Sequence, residues 1–243
     1  MMNKIIFLAF MCAIFLSCSS EEEEDLFLAI SEREYCNEVE YNPKIQFCSN
    51  DKIFNKGEFI DVRDGQIYRF VEIGEQIWMA ENLNYEVTES KCYNNNPDYC
   101  NKCGRLYNWN TAMQGICPDG WHLPSSAEWR KLQNYVGEKG AYMYGFYAGK
   151  KLKTKSDWKD LNGNKDSAST DEYGFSALPC GESFVGIMGN WWSFADELSA
   201  IRWLLEGGSD ELEDILGSPA SNLYYVRCVK GEGNELSNRA VVQ

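Results

Sequence analysis

The pattern of apolar and polar positions is most regular between residues 107 and 136, where it predicts two helices joined by a turn. Trp109, Ala112 and Met113 occupy positions i, i+3 and i+4, which lie on one face of a helical turn. A second apolar stripe with similar spacing consists of Trp129, Leu132, Tyr135 and Val136. We therefore expect a short first helix and a longer second one.

The segment between the two stripes carries turn and capping signals. Residues 118–120 read Pro-Asp-Gly, in which proline fixes φ and glycine supplies a left-handed backbone position. Ser125 and Glu128 form the Ser-x-x-Glu pattern of a capping box, in which each side chain accepts a hydrogen bond from an unpaired backbone N–H group. The second helix is accordingly predicted to start at Ser125.

The remaining apolar residues occur in short runs, which are typical of strands. Residues 67–73 alternate, and Gly74-Glu75 then turns the chain into residues 76–79, so this region is predicted to be a β-hairpin. Further short runs between glycine or polar turns cover residues 175–179, 184–188, 191–194, 201–205 and 223–229. The expected fold class is α+β, with two helices and short antiparallel strands.

The N-terminus has the pattern of a bacterial lipoprotein. Residues 1–17 form a signal peptide with an apolar stretch of twelve residues, Ile5 to Leu16, which is shorter than the roughly 20 residues of a membrane-spanning helix. Phe-Leu-Ser-Cys resembles a lipobox and predicts lipidation of Cys18; the alternative is secretion with cleavage near Ser17. Residues 18–33 are an acidic tether, which resembles a signal for export to the outer surface. We expect an outer-membrane lipoprotein exposed on the cell surface.

The charge of the chain limits its partners. There are 23 basic and 37 acidic residues, which give a formal net charge of −14. Phosphate backbones repel such a chain, so nucleic acid is a poor partner. The expected partners are the membrane, through the lipid on Cys18, and a polysaccharide or another surface protein.

Apart from Cys12 and Cys18 the chain has eight cysteines, and an even number in an exported protein indicates disulfides. Cys36 and Cys48 bracket a small loop with an Asn-Pro turn and are expected to pair within a hairpin module at residues 34–56. Cys92 and Cys100 flank a polar loop and are expected to pair too.

Zinc is the rival interpretation for one pair of cysteines, because Cys100-x-x-Cys103 has zinc-knuckle spacing. There is no second Cys-x-x-Cys or histidine pair, and an oxidising compartment favours disulfides. We therefore expect no zinc site here.

A long polar loop between Trp158 and Phe175 offers a candidate calcium site. Its alternating oxygen-bearing residues, which resemble the start of an EF-hand loop, are Asp160, Asn162, Asn164 and Asp166. Lys165 replaces the usual glycine, and Asp171 replaces the glutamate that ends the twelve-residue loop. We expect a solvated loop without cofactor, and the alternative is that these residues bind calcium.

Three tryptophans are candidates for a sugar-binding surface: Trp158, Trp191 and Trp192. The last two are adjacent, so in a strand they face opposite ways and cannot both enter one core. One exposed indole beside Asn162 and Asp171 would suit stacking against a polysaccharide. The alternative is that the second tryptophan packs under a loop.

Several motifs of the chain carry a family resemblance: IGEQIWMAENLNY, GRLYNWNTAM, CPDGWHLPSSAEW, GFSALP and VRCV. Together they resemble the Fibrobacter succinogenes major paralogous domain over roughly residues 61–230. That family is similar to the sulfatase-modifying, formylglycine-generating enzymes and to C-type lectin-like domains. The resemblance implies a lectin-like domain at residues 57–231, followed by a polar tail at 232–243, in a family whose activity is largely undefined.

The resemblance also implies disulfide pairs. The lectin-like pattern predicts a long disulfide between Cys117 and Cys228. Cys103 and Cys180 stand where the family has a tyrosine and a glycine, and two such departures suggest that these cysteines pair with each other.

Catalysis is not expected. The formylglycine-generating enzymes use two reactive cysteines late in the chain and bind copper through them, whereas Cys228 is alone and matches a structural position. His122, the only histidine, precedes the capped helix at a position that is structural in the family, and no carboxylate pair stands out. We expect a non-enzymatic binding domain. The alternatives are a protein–protein or cell-envelope display module and a degenerate formylglycine-generating oxidase.

Overall fold

The computed structural model describes residues 34–42, 46–49, 52–137, 147–181, 184–196 and 199–231. The predicted signal peptide, the tether and the C-terminal tail lie outside these ranges. Within them, no helix has the length and the apolar character that crossing a bilayer requires.

The described residues form two six-stranded sheets and one two-stranded hairpin. The hairpin pairs β1 (Glu34–Cys36) with β2 (Val39–Tyr41). The first sheet has the strand order β12-β11-β10-β13-β8-β7, and the second has the order β3-β4-β5-β6-β14-β9. The strands are β3 (Gln46–Ser49), β4 (Lys52–Ile60), β5 (Ile67–Ile73), β6 (Gln76–Met79), β7 (Ser90–Lys91), β8 (Leu106–Tyr107), β9 (Trp121–His122), β10 (Met188–Asp196), β11 (Ser199–Glu206), β12 (Leu212–Leu216), β13 (Tyr224–Tyr225) and β14 (Val229–Lys230).

Almost all neighbouring strands run antiparallel, which confirms the predicted α+β class. The 67–73 and 76–79 hairpin is present as β5 and β6. The exception is the contact between β10 and β13, which is parallel and pairs Trp191 with Tyr225.

Four α-helices occur in the described ranges: α1 (Pro97–Cys103), α2 (Trp109–Met113), α3 (Ser126–Val136) and α4 (Ala148–Leu152). The two predicted helices are α2 and α3. Ser125 and Glu128 form the complete capping box, so the predicted start of α3 is confirmed. The prediction of only two helices is wrong: the cysteines of α1 were read only as disulfide partners, and α4 contains Gly149, a poor helix former.

The central strands are buried on both faces because a separate apolar cluster covers each face. Trp191 lies in one cluster and Trp192 in the other. The same division separates Trp78 from Met79 on β6. Successive side chains of a strand point to opposite faces. The sequence of a strand that lies between two cores is therefore apolar at successive positions.

Three of the predicted disulfides are present. Their pairs are Cys92–Cys100, Cys103–Cys180 and Cys117–Cys228. The last closes a loop of 111 residues and ties the end of the α2 region to the residue before β14. The side chains of Cys36 and Cys48 lie outside the described part, so their pairing stays a prediction.

Candidate functional site

The three tryptophans that the sequence suggested for sugar stacking are all buried. Trp158 has 1% of its surface exposed, and Trp191 and Trp192 have none. The prediction of an exposed indole is therefore wrong. The physical reason is the second core, which accepts the side chain that a single core would have left outside.

Each of these indoles also donates its N–H group inside the protein. Trp158 donates to the carbonyl oxygen of Ala177 at 2.9 Å, and Trp192 donates to the carbonyl oxygen of Tyr107 at 2.7 Å. Trp191 donates to Asn82 Oδ1 at 2.8 Å. A ligand at the surface can reach neither the ring faces nor the polar atoms of these residues.

The polar loop of the calcium prediction makes its own hydrogen bonds. The carboxylate of Asp160 accepts the backbone N–H groups of Asn162 and Asn164 at 2.9 and 2.8 Å, and it accepts the side-chain amide of Asn164 at 3.0 Å. These donors lower the pKa of Asp160. Asp160 therefore stabilises a tight turn at the tip of the loop.

The fourth predicted calcium ligand, Asp166, points into the protein instead. Its Oδ2 accepts a hydrogen bond from Lys153 Nζ at 2.6 Å, and these two side chains are only 3% and 0% exposed. Among the described residues, no group of three or more acidic, histidine or cysteine side chains could hold a metal ion. The four oxygen-bearing residues thus do not converge here, and calcium binding itself stays a prediction that a melting curve with calcium and with a chelator can test.

Lys153 joins three segments beneath this loop. Besides Asp166, its ammonium group donates to the carbonyl oxygens of Glu206 at 3.0 Å and Ser209 at 2.7 Å. It also lies 5.3 Å from the centroid of the Trp158 ring. Burial alone would raise the pKa of Asp166, but the hydrogen bond and charge of Lys153, together with the backbone N–H groups of Gly208 and Ala168, outweigh it and lower that pKa. The pair fixes the loop to the turn between β11 and β12.

Asp171, the other acidic residue of the sugar-binding prediction, belongs to a second buried polar cluster. Its carboxylate accepts the backbone N–H and the hydroxyl of Ser176, both at 2.8 Å. Burial raises the pKa of Asp171, while its bonds to Ser176 and the charge of Arg227 partly offset that rise. Both Asp171 and Ser176 have positive φ, which non-glycine residues seldom adopt. The surrounding packing therefore determines the conformation of this segment.

Arg227 is the cation of this cluster and is completely buried. Its Nε and Nη2 donate to Asn82 Oδ1 at 3.0 and 2.8 Å, and its Nη1 donates to the carbonyl oxygen of Phe175. The guanidinium carbon lies 4.4 Å from the centroid of the Phe175 ring. Burial lowers the pKa of Arg227.

The exposed part of this region consists of residues 159–165 and 184–187, which we call the loop face. The two loops touch directly, because the Lys159 N–H donates to the carbonyl oxygen of Gly186 at 2.7 Å. Three large apolar side chains are exposed on them: Leu161 by 64%, Phe184 by 50% and Val185 by 39%.

The loop face is held from below by covalent and polar links. Cys180 pairs with Cys103 and also forms a β-bridge with Val185. Gly207 lies so close to the carbonyl of Lys159 that a Cβ atom would overlap it. These contacts, together with the Lys153–Asp166 pair, fix the positions of both loops.

His122 has a structural environment and is largely buried. Its Nε2 lies 2.8 Å from Glu128 Oε1, and its Nδ1 lies 3.1 Å from the carbonyl oxygen of Gly231. Both partners are acceptors, so the imidazolium form can satisfy both contacts. Burial alone would lower the pKa of His122, but Glu128 outweighs it and raises the pKa.

Sequence reasoning found the region of the loop face through Asn162 but missed its apolar side chains. Leu161 and Phe184 look like core residues when read from the sequence alone. Leu161 does not belong to an apolar pattern with helical or alternating spacing. Only this feature of the sequence could have indicated that its side chain is exposed.

Comparison with known families gives one match: the family model described as Fibrobacter succinogenes major domain matches residues 71–230. This range includes the loop face and all three disulfides described above, and the match confirms the resemblance inferred from the motifs. Searches of curated proteins and of solved structures found no match.

Proposed function

Because the chain belongs to the Fibrobacter succinogenes major domain family, we propose that it is an exported surface lipoprotein whose folded domain binds polysaccharide and catalyses no reaction. The signal peptide and Cys18 support export and anchoring in the outer membrane. The acidic tether separates the anchor from the domain. The domain then faces the surroundings of the cell.

The loop face is the single observation that carries the binding function. Large apolar side chains cost free energy when they are exposed, and a contiguous exposed group of them is typical of a binding surface. Here Leu161 and Phe184 lie on loops with fixed positions, so a ligand loses little free energy to ordering them. The ring of Phe184 provides the flat apolar surface against which a sugar can pack.

We further propose that the domain has the lectin-like fold shared with the sulfatase-modifying proteins. The long disulfide between Cys117 and Cys228 supports this assignment, because the resemblance predicted that pair. In lectin-like domains generally, loops that project from short strands carry the ligand, and the loop face has this position.

The cysteines favour binding over oxidase chemistry. An oxidase of the formylglycine-generating type needs two reactive thiols close together. Cys228, the late cysteine, is bonded to Cys117, and the other four cysteines with described side chains are also in disulfides. We propose no metal or organic cofactor.

A glycan array and pull-down on insoluble polysaccharides test the binding function directly. We expect the full-length protein, purified in detergent, to bind at least one polysaccharide. Phe184→Ala is expected to weaken binding about fivefold, because an aromatic contact contributes on the order of 1 kcal/mol. Ile67→Ala is the matched control, since Ile67 is 59% exposed on β5, outside the loop face. Equal affinities of the two variants, or no binding to any glycan, would contradict the proposal.

Anchoring is tested separately by labelling cells with an alkyne fatty acid. We expect label on the wild-type protein and none on Cys18→Ser. Protease treatment of intact cells should then digest the anchored protein. If the wild-type protein carries no label, or if it resists the protease until the cells are lysed, the proposed anchor or its location is wrong.

A further inference from the structure

One of the two loops of the loop face, residues 159–165, belongs to a lysine-rich segment of an acidic chain. Residues 150–165 contain six of the 23 basic residues, all of them lysines, although the formal net charge of the whole chain is −14. The same segment contains only two acidic residues, Asp157 and Asp160. Local charge and total charge therefore have opposite signs.

The carboxylates in and next to this segment are engaged within the protein. Asp157 accepts a hydrogen bond from Lys102 at 2.7 Å. Asp160 accepts three N–H groups of its own turn, and Asp166 is paired with the buried Lys153. Asp157 and Asp166 are thus already paired with lysines, and Asp160 is the one carboxylate of the loop that keeps its charge without a cationic partner within the described ranges.

Lys159 and Lys165 are the exposed lysines at the centre of the segment. They stand opposite each other in an antiparallel β-bridge, so their side chains leave the same face. Neither forms an ion pair with a carboxylate in the described part of the chain. Like charges directly opposite each other destabilise a strand pair, and an anion between them would remove that repulsion.

The exposed apolar residues lie on the two loops that carry or adjoin these lysines. The backbone of Lys159 is bonded to Gly186, which is two residues from Phe184. The segments that carry the aromatic ring and the two ammonium groups are thus linked directly. A surface formed by these segments matches a ligand that has flat apolar faces and regularly spaced negative charges.

We propose that the loop face binds an anionic polysaccharide of the uronic acid class. This inference rests on the proposed polysaccharide-binding function and adds the charge of the ligand. Carboxylates of the polymer pair with Lys159 and Lys165, and the apolar face of a sugar ring packs against Phe184. The acidic remainder of the domain repels the polymer, which restricts binding to this one surface.

An acidic peptide is the competing ligand, and the position of the surface disfavours it. Extended peptides commonly bind by adding a strand to an open sheet edge. The loop face consists of loop residues and is not such an edge. Polyglutamate therefore serves as a competitor that separates the two classes.

Isothermal titration of the full-length protein in detergent tests the proposal with four probes. These are oligogalacturonate, its fully methyl-esterified form, a neutral cello-oligosaccharide and polyglutamate. We expect the tightest binding to oligogalacturonate, at least tenfold weaker binding to the methyl ester, and a loss of affinity as the salt concentration rises. The salt effect follows from the screening of exposed charges.

Lysine variants test whether Lys159 and Lys165 provide the positive charge that binds the anionic polymer. The double variant Lys159→Gln/Lys165→Gln is expected to bind oligogalacturonate roughly tenfold more weakly, because two exposed ion pairs are lost. The control Lys131→Gln/Lys230→Gln removes the same charge elsewhere and should bind like the wild type. Circular dichroism and melting curves check that both variants are folded.

The outcomes distinguish the two levels of the proposal. Equal binding of oligogalacturonate and its methyl ester would contradict the proposal that the ligand is anionic. It would not contradict polysaccharide binding. Preference for polyglutamate over every glycan would overturn the ligand class. Binding to no glycan at all would overturn the proposed function and this inference with it.

Discussion

Two buried cations show how differently this protein stabilises a charge in its interior. Lys153 and Arg227 are both completely shielded from water. Lys153 touches the carboxylate of Asp166 at 2.6 Å. Arg227 touches no carboxylate among the described residues; its N–H groups donate to the neutral oxygens of Asn82 and Phe175.

The difference follows from the shape of the two groups and from their places in the fold. An ammonium group is a compact charge that needs a close counter-charge, whereas a guanidinium group spreads its charge and can also stack on aromatic rings. Lys153 lies under the loop face, where a loop carboxylate can reach it. Arg227 lies between Phe175 and Trp191, at 4.4 and 5.7 Å from their ring centroids. The first cation therefore depends on one counter-charge, and the second depends on several neutral and aromatic groups.

Asp166→Ala should have the largest effect, because it leaves the charge of Lys153 buried without a counter-charge. Breaking a buried ion pair in this way typically costs about 3–5 kcal/mol of unfolding free energy. Chemical denaturation of both proteins measures the difference.

The double variant Lys153→Met/Asp166→Leu is the matched control for this loss. It removes both charges and keeps apolar volume, so it should recover most of the lost stability. If the double variant is as unstable as Asp166→Ala, the loss comes from packing and not from the unpaired charge.

Asn82→Ala is expected to have the next largest effect, about 2–3 kcal/mol. It removes the oxygen that accepts hydrogen bonds from Arg227 and Trp191, but it leaves the contacts of Arg227 with Phe175. Denaturant unfolding again gives the value, with the exposed Asn162→Ala as control. A loss equal to that of Asp166→Ala would show that Arg227 depends on a single partner.

The largely buried His122–Glu128 pair extends the comparison to a third cation, with an expected contribution to the unfolding free energy of about 1 kcal/mol. The pKa of His122 is raised above its usual value of 6.5 in the folded state. Its contribution is therefore complete below pH 6.5 and is lost as the pH rises through the folded-state pKa. Melting temperatures measured from pH 6 upward should fall in the wild type more than in His122→Gln. If the melting temperatures of the wild type and His122→Gln change in parallel with pH, His122 does not stabilise the folded protein through this pair.

Leu161→Ser should change the unfolding free energy least, by less than about 0.5 kcal/mol, because the side chain is 64% exposed. The same substitution is expected to weaken glycan binding. A stable variant with weakened binding would show that Leu161 contributes to ligand binding and not to the stability of the fold. A large loss of stability would instead assign Leu161 to the core.

Local and covalent features of the fold could be predicted from the sequence. The capping box at Ser125 depends only on neighbouring residues, and the Cys103–Cys180 pair followed from two shared departures from a family pattern. The second core could not be predicted, because it depends on strands far apart in the chain. For that reason the burial of Trp191 and Trp192 together was missed.

The same limit applies to the candidate site. Asp166 and Asp160 have the same spacing pattern in the sequence, yet one binds Lys153 in the interior and the other stabilises a surface turn. The choice depends on the position of Lys153, which the loop sequence does not contain. The exposure of Phe184 likewise depends on how the two loops meet.

Chemical-shift mapping with oligogalacturonate tests most directly whether the loop face is the binding site. Spectra of the ¹⁵N-labelled protein are recorded during the titration. We expect the largest shifts at the backbone amides of residues 159–165 and 184–187, with small shifts at the buried indole N–H groups of Trp158 and Trp191. Shifts centred on other residues, such as the exposed Ile60 and Val62, would contradict the account.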